Sequence, residues 1–391
     1  MDPQTQCCPN EECAARGQVG QGNLRVHSWL EHRYRCRTCR QTFAATTGTP
    51  FFRVQTAVET VTLVVTLLAH GCPLQAIVAA FGFDERTVVA WQAKAGAHCQ
   101  RVHAHLVQQG QLDLGHVQAD ELWGKVVGGK VWMALALAIP SRLWLGGVVS
   151  PHRDGALITT LVGLVRACAT GVGGVGTGLL VCVDGLVSYV TAFRRAFRVP
   201  VHTGRVGRPR LVLPDGVLLG QVVKQYAQRH VIAVAHRVVC GTPAAITAAL
   251  VATRGGTVLT TAYIARRNAT FRAHLAPLVR RGRALARTQP VLIAGMSLVG
   301  CAYHLCWDHD SLRLAAGPGA ATKWVERTPA MAAGLTNHRW TMAAVLHYQV
   351  PFRPGWRPGA AGGPHRRTRT PRHSPAALRS LRRSRPRPDH V

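Results

Sequence analysis

The spacing of apolar residues changes along the chain, and each change marks a different kind of element. Val58, Val61, Val65 and Leu68 recur at helical spacing, and few residues from Val54 to about Gln109 break a helix. This stretch therefore reads as helical. Within it, Pro73–Phe81 predicts a short helix begun on proline, a favoured first position. Gly82 can supply a tight turn, and Asp84 can cap a second helix from Glu85 to about His98. Val88, Trp91 and Ala95 share one face of that helix and belong to a core. Arg86, Thr87, Ala90 and Lys94 face outward, as a recognition helix in a major groove requires. From about Leu112 to Val350, β-rich runs alternate with helical ones. The longest apolar stretch, Val131–Val149, is interrupted by Pro140, Ser141 and Arg142, which predicts two strands around a turn rather than a membrane span. A helical pattern over Ala156–Ala169 precedes Gly171-Val-Gly-Gly-Val-Gly176. That order is the reverse of a dinucleotide fingerprint, so a loop is expected there. Pro351–Val391 carries eleven Arg against one acid, with many Pro and Gly, and predicts a disordered basic tail that cannot bury a core.

Charge narrows the partner. Lys+Arg 47 against Asp+Glu 17 leaves a net charge of +30, which calls for a polyanion. Double-stranded DNA is the expected one, with counterion release supplying affinity, and an anionic membrane surface is the rival. Only five of the basic residues are Lys; Arg suits bidentate phosphate contact, although a GC-rich genome also spells Arg. At 391 residues and 47% hydrophobic, two or three folded units are expected. The polar start, Met1–Gln6, lacks a signal-peptide core. A cytoplasmic, nucleoid-associated protein follows, in which twelve Cys point to metal binding or burial rather than disulfides.

Cys8-Pro-Asn-Glu-Glu-Cys13 is followed after 22 residues by Cys36-Arg-Thr-Cys39. Two short Cys pairs around a hairpin-length spacer suit a structural tetrahedral zinc. The spacer holds Leu24–Val26 and Tyr34–Cys36 as candidate strands, and Cys7 could replace Cys8. Arg33, Arg35, Arg37 and Arg40 around the second knuckle suit phosphate contact or a solvated face.

With only 17 acids, an acid flanked by apolar residues stands out. Asp120 lies in the extended run His116–Trp123, and Asp184 ends the buried-strand pattern Leu179-Leu-Val-Cys-Val-Asp184. Two carboxylates at neighbouring strand ends can hold Mg²⁺ for phosphoryl transfer; they could equally cap strand ends. Gly207-Arg-Pro-Arg210 fits a minor-groove clasp or, more simply, a solvated turn.

The order of Cys pairs, helix pair, Asp-Glu-x-Trp and strand-Asp-Gly resembles the InsA/InsB-like group of bacterial insertion-sequence transposases. So do Ala262-Tyr-Ile-Ala-Arg-Arg-Asn-Ala-Thr-Phe-Arg272 and Thr328-Pro-Ala-Met-Ala-Ala-Gly-Leu335, and the likeness runs from about Cys8 to Val350. It implies a multidomain chain: a small β zinc ribbon over 1–52, an all-α helix-turn-helix region over 53–110, an α/β ribonuclease-H-like domain over 111–350, and the tail over 351–391. It also implies a homo-oligomer that cuts terminal inverted repeats and joins them to target DNA through a carboxylate triad holding two Mg²⁺ ions. Asp120 and Asp184 match the first two carboxylates. The third position is Ala265, inside a segment where Tyr263, Arg266, Asn268 and Arg272 match the group's pattern. Alanine has no oxygen for the second metal, so impaired cleavage and strand transfer are expected. Glu121 is expected on the opposite face of the strand; Asp308 and Asp310 lie far along the chain but could come near the site and replace the missing carboxylate, and His304 stands where the group tends to have Asn. Arg266, Asn268, Arg272 and Arg280 are expected to contact DNA, the last two on a helix over Phe271–Arg287. A catalytically silent DNA-binding repressor or remnant is the alternative function, and a zinc-ribbon RNA-associated factor is a third.

Overall fold

The computed structural model describes residues 2–109, 111–170, 178–202, 204, 207–228, 230–279 and 286–351. The Gly171–Gly176 loop, Arg280 and nearly all of the expected basic tail lie outside them. The described chain is mixed α/β, with a small antiparallel sheet at its N-terminal end.

That small sheet has the order β1 (Leu24–Ser28), β2 (Arg33–Cys36), β3 (Thr42–Ala44). Tyr34 and Phe43 are cross-strand partners with ring centroids 5.9 Å apart. With Leu24 and Cys8, Cys13 and Cys36 they make a core of very few apolar side chains.

Three helices follow: α1 (Val58–Ala69), α2 (Leu74–Phe81) and α3 (Glu85–Val107). Gly82 ends α2 in the left-handed conformation (φ 68°), which a residue without Cβ adopts freely. The Asp84 carboxylate then accepts the Arg86 N–H and starts α3. Helix α3 runs nine residues beyond the expected His98. Its added turns bury Cys99, Val102 and Val107, and Gly96 lets it approach Ala294 so closely that a Cβ would lie 2.5 Å from that residue. The core of the three helices continues into Leu298, Leu305, Ala330, Val345 and Leu346.

The main sheet has six strands. β4 (His116–Val126), β5 (Gly129–Ala138) and β6 (Leu143–Ser150) form an antiparallel meander, so Val131–Val149 is two strands around a turn. Helix α4 (Gly155–Cys168) leads to β7 (Leu179–Asp184), parallel to β4. Helix α5 (Val187–Ala196) and the short pair β8 (Val199–Val201) and β9 (Arg210–Val212) lead to β10 (Val217–Ala227), parallel to β7. The edge strand β11 (His230–Cys240) returns antiparallel, giving the order β11-β10-β7-β4-β5-β6. Gly207–Arg210 leads into β9 and is largely exposed. Helices α4 and α5 cover one face around Val117, Ala119, Val181 and Val183. Helices α7 (Ala262–His274) and α8 (Gln289–Cys301) cover the other, while α6 (Pro243–Ala252) packs at the β7/β10 side. Burial on both faces explains the unbroken apolar run of β7.

Short elements close the described chain: β12 (Leu314–Ala315), β13 (Trp324–Val325), α9 (Pro329–Ala332) and α10 (Met342–His347). Among the described residues, Gln289–Cys306 is long and apolar enough to cross a membrane, and 72% of it is buried inside the protein. The expected helix over Phe271–Arg287 is corrected: α7 stops at His274 and Leu275 is extended. Pro277 follows in a single 3-10 turn and has no N–H with which to continue the helical ladder.

Candidate metal sites

Strands β4 and β7 pair in parallel from His116 with Leu180 to Ala119 with Val183. The next residues, Asp120 in the middle of β4 and Asp184 at the end of β7, therefore lie side by side where β7 stops. Asp184 Oδ1 accepts the Leu186 N–H at 3.0 Å and turns the chain into α5. Asp120 Oδ2 accepts from Asn268 Nδ2 of α7 at 2.8 Å.

Glu121 joins them, which corrects the expectation that strand alternation removes it. Its side chain does leave β4 on the α5 face, where the Tyr189 hydroxyl donates to Oε2 at 2.8 Å. However, β7 ends at Asp184, so beyond it no strand pairs with β4 on that side, and carboxylates from both faces can approach one another there. Ligand oxygens of Asp120, Glu121 and Asp184 all lie within 4.8 Å of one another. Arg153, from the loop after β6, donates to Glu121 Oε1 and reaches Asp184 Oδ2 at 3.4 Å.

The electrostatics follow from burial. Desolvation, then the charges of Glu121 and Asp184, push Asp120 up to about 7. Burial and Asp184 also raise Glu121, against the opposing Tyr189 and Arg153. Three carboxylates this close repel one another unless a cation sits between them. Their hard oxygen donors fit Mg²⁺ or Mn²⁺. Ala265, exposed on α7, lines the same pocket with Lys224 and Thr261 and offers it only a methyl group.

No protein-family model matches the chain, and no curated protein matches it.

At the N-terminal end, the sulfurs of Cys8, Cys13, Cys36 and Cys39 also lie within 4.8 Å of one another. Cys8 and Cys39 are 3.7 Å apart, and Cys13 and Cys36 are 3.8 Å apart. Four thiolates about 2.3 Å from one ion are about 3.8 Å apart, so the set is compatible with structural zinc. The Ala15 N–H points at Cys13 Sγ, 3.4 Å away. Cys7 turns instead toward Gln349 Oε1 at 3.9 Å, which leaves Cys8 as the ligand of the adjacent pair.

The other expected DNA contacts divide. Arg86 and Arg266 are exposed, while Thr87 and Arg272 are half-buried. Lys94 is exposed, but its ammonium donates to the Phe52 carbonyl at 3.0 Å. Asn268 is corrected: it is 2% exposed and holds Asp120, so it belongs to the carboxylate site and faces no solvent. Asp308 pairs with Arg339, and neither it nor Asp310 is in the carboxylate group. His304 is fully buried beside His103 and Trp144. Sequence reasoning missed Arg153 and Tyr189. Neither stands in a motif, and only the long-range packing of loop and helix brings them to Glu121.

Proposed function

We propose that the protein is a metal-dependent DNA-cleaving and strand-transferring enzyme of the insertion-sequence transposase kind. The observation that carries this reading is the convergence of Asp120 and Glu121, midway along β4, with Asp184 at the end of the parallel strand β7, and with position 265 lining the same pocket from α7. The antiparallel meander followed by two parallel strands, with α4 and α5 on one face, supports a ribonuclease-H-like architecture for the region. The Cys cluster supports a structural zinc ribbon ahead of the α2–α3 pair, which would grip duplex DNA through Arg86 and its neighbours.

Asp120 and Asp184 would be the principal metal ligands, with Asn268 fixing Asp120 so that its second oxygen faces the pocket. A bound divalent ion supplies an activated water or 3′-hydroxyl and stabilises the leaving oxygen. Lys224 and Arg153 lie beside the carboxylates and would meet the phosphate charge. Position 265 contributes no oxygen, so the second metal is held weakly.

The test is nicking and strand transfer with Mg²⁺ or Mn²⁺ in wild type, Asp120→Asn, Asp184→Asn and Ala265→Glu. The Ala265→Glu protein should exceed wild type by at least about tenfold, because a full ligand set is worth several kcal/mol to the transition state. Asp184→Asn in that background should abolish the gain. Equal activity of wild type and Ala265→Glu would sink the role of position 265, and nicking untouched in both Asn variants would sink the active site. Ala265 itself favours a second reading, a silent DNA-binding protein: wild type would then bind DNA ends and show no metal-dependent turnover.

A further inference from the structure

Beside the carboxylates, two tryptophans stand opposite each other across the β4–β5 hairpin. Trp123 and Trp132 are register partners, both half-buried, and they share the Glu121 side of the sheet. Lys130 lies over both rings, its ammonium 4.8 Å from the Trp123 centroid and 4.1 Å from that of Trp132. The Arg153 guanidinium lies 5.1 Å from the Trp132 centroid while it reaches Glu121 and Asp184. One guanidinium therefore spans the distance from indole to carboxylate. Among the described residues no acid forms an ion pair with Lys130.

Such a surface has a specific chemistry. Indole faces stack on nucleobases, and flanking cations hold the phosphates on either side. A base inside a duplex already has both faces occupied by its neighbours and a terminal pair frees only one, whereas an unpaired nucleotide can be gripped on both faces. Both cations are long, flexible side chains that a base can displace from the ring while they remain within reach of its phosphates.

We propose that Trp123 and Trp132 form the seat for an unpaired nucleotide of single-stranded DNA running off a cut end, with Lys130 and Arg153 on its phosphates. The proposal rests on the DNA-processing reading of the carboxylate site and names the strand form that the site takes. Its charge suits the strand, and Arg153, which lines the carboxylate pocket and lies 5.1 Å from the Trp132 centroid, links the seat to that pocket. A hairpin-stabilising tryptophan pair would give the same folded structure but would read no difference between DNA ends.

Full-length protein is titrated, in EDTA and at fixed salt, with a blunt duplex and with the same duplex carrying a single-stranded extension labelled with 2-aminopurine. Wild type should prefer the extended end and quench the 2-aminopurine. Trp123→Ala and Trp132→Ala should each lose about fivefold or more of that preference, the cost of one lost stacking partner, with blunt-end affinity unchanged. Trp132→Phe should retain most of it, and Lys130→Gln should lose less than the tryptophan variants. If thermal unfolding shows that Trp132→Ala is not folded, Trp123→Ala and Lys130→Gln decide alone. No quenching, or extended-end affinity in both alanine variants matching wild type, overturns the seat. Tighter capture of an RNA extension overturns its assignment to DNA. Because the titration contains no metal, a failed nicking test at Asp120 and Asp184 leaves its result intact, and the two failures stay distinguishable.

Discussion

Glu121 and Asp120 are adjacent in β4, yet their carboxylates meet at one site. Period-2 alternation correctly sends their side chains to opposite faces, but it says nothing about where the neighbouring strand stops. Because β7 ends at Asp184, no strand pairs with β4 on that side beyond it. Asp120 and Asp184 were legible in the sequence since each is an acid flanked by apolar residues. Arg153 and Tyr189 were not, because a lone Arg and a lone Tyr carry no local signal. The raised Asp120 gives a pH prediction. Its carboxyl is pushed up to about 7, and a metal must displace that proton. Mn²⁺ affinity, read by electron paramagnetic resonance, should therefore rise about tenfold per pH unit below 7 and flatten above it. For the metal-free protein the sign is opposite. A folded-state value above the ordinary one means that the protonated carboxyl stabilises the fold, and this contribution is lost as pH rises from about 4 to about 7. Asp120→Asn should weaken both dependences, with a remainder left by the raised Glu121, and a pH-independent Mn²⁺ affinity in wild type would contradict this account.

Among the elements, the α2–α3 turn was legible because Pro73, Gly82 and Asp84 each act locally through φ or a cap. The helical character of α3 was legible to about Gln109, but its continuation past His98 as one helix was not. His98 and His103 interrupt its apolar stripe, and both are buried through hydrogen bonds to the carbonyls of Val345 and Leu145, at 2.9 and 3.2 Å. Those partners lie far away in sequence, so hydropathy reads the two residues as polar surface. The small N-terminal sheet is the contrasting case, since Cys spacing and the short runs at Leu24 and Tyr34 announced two of its three strands. Its core offers little beyond Leu24, Tyr34 and Phe43, and metal binding would therefore supply most of its folding free energy. Purified protein should release one Zn²⁺ per chain on thiolate modification. Chelation or Cys13→Ser should open residues up to about Phe52 to protease while the six-stranded sheet stays protected. A small sheet that resists protease without metal would show that the four thiols need no ion.

Across the whole molecule, the helices after the small N-terminal sheet share one core with the C-terminal end of α8, the residues just after it, and α10. No local pattern reports such pairing, because the contacting segments are separated by the entire main sheet. Composition, however, does carry information at this scale. The net charge of +30 is spread unevenly, since residues 351–391 contribute eleven Arg and one Asp. If that segment holds phosphates, each contact releases counterions and steepens the fall of affinity with salt by about 0.9 in log–log slope. A chain ending at Val350 should then bind duplex DNA with a slope shallower by at least about 2, which corresponds to two or three lost contacts. Its choice between sequences should be unchanged, because phosphate contacts carry no base information. Nicking per bound molecule should also be unchanged, since the carboxylate pocket lies wholly within the shortened chain. Equal salt slopes for the two chains would mean that the segment's charge touches solvent rather than DNA. The remaining excess of basic residues would then account for all of the electrostatic affinity.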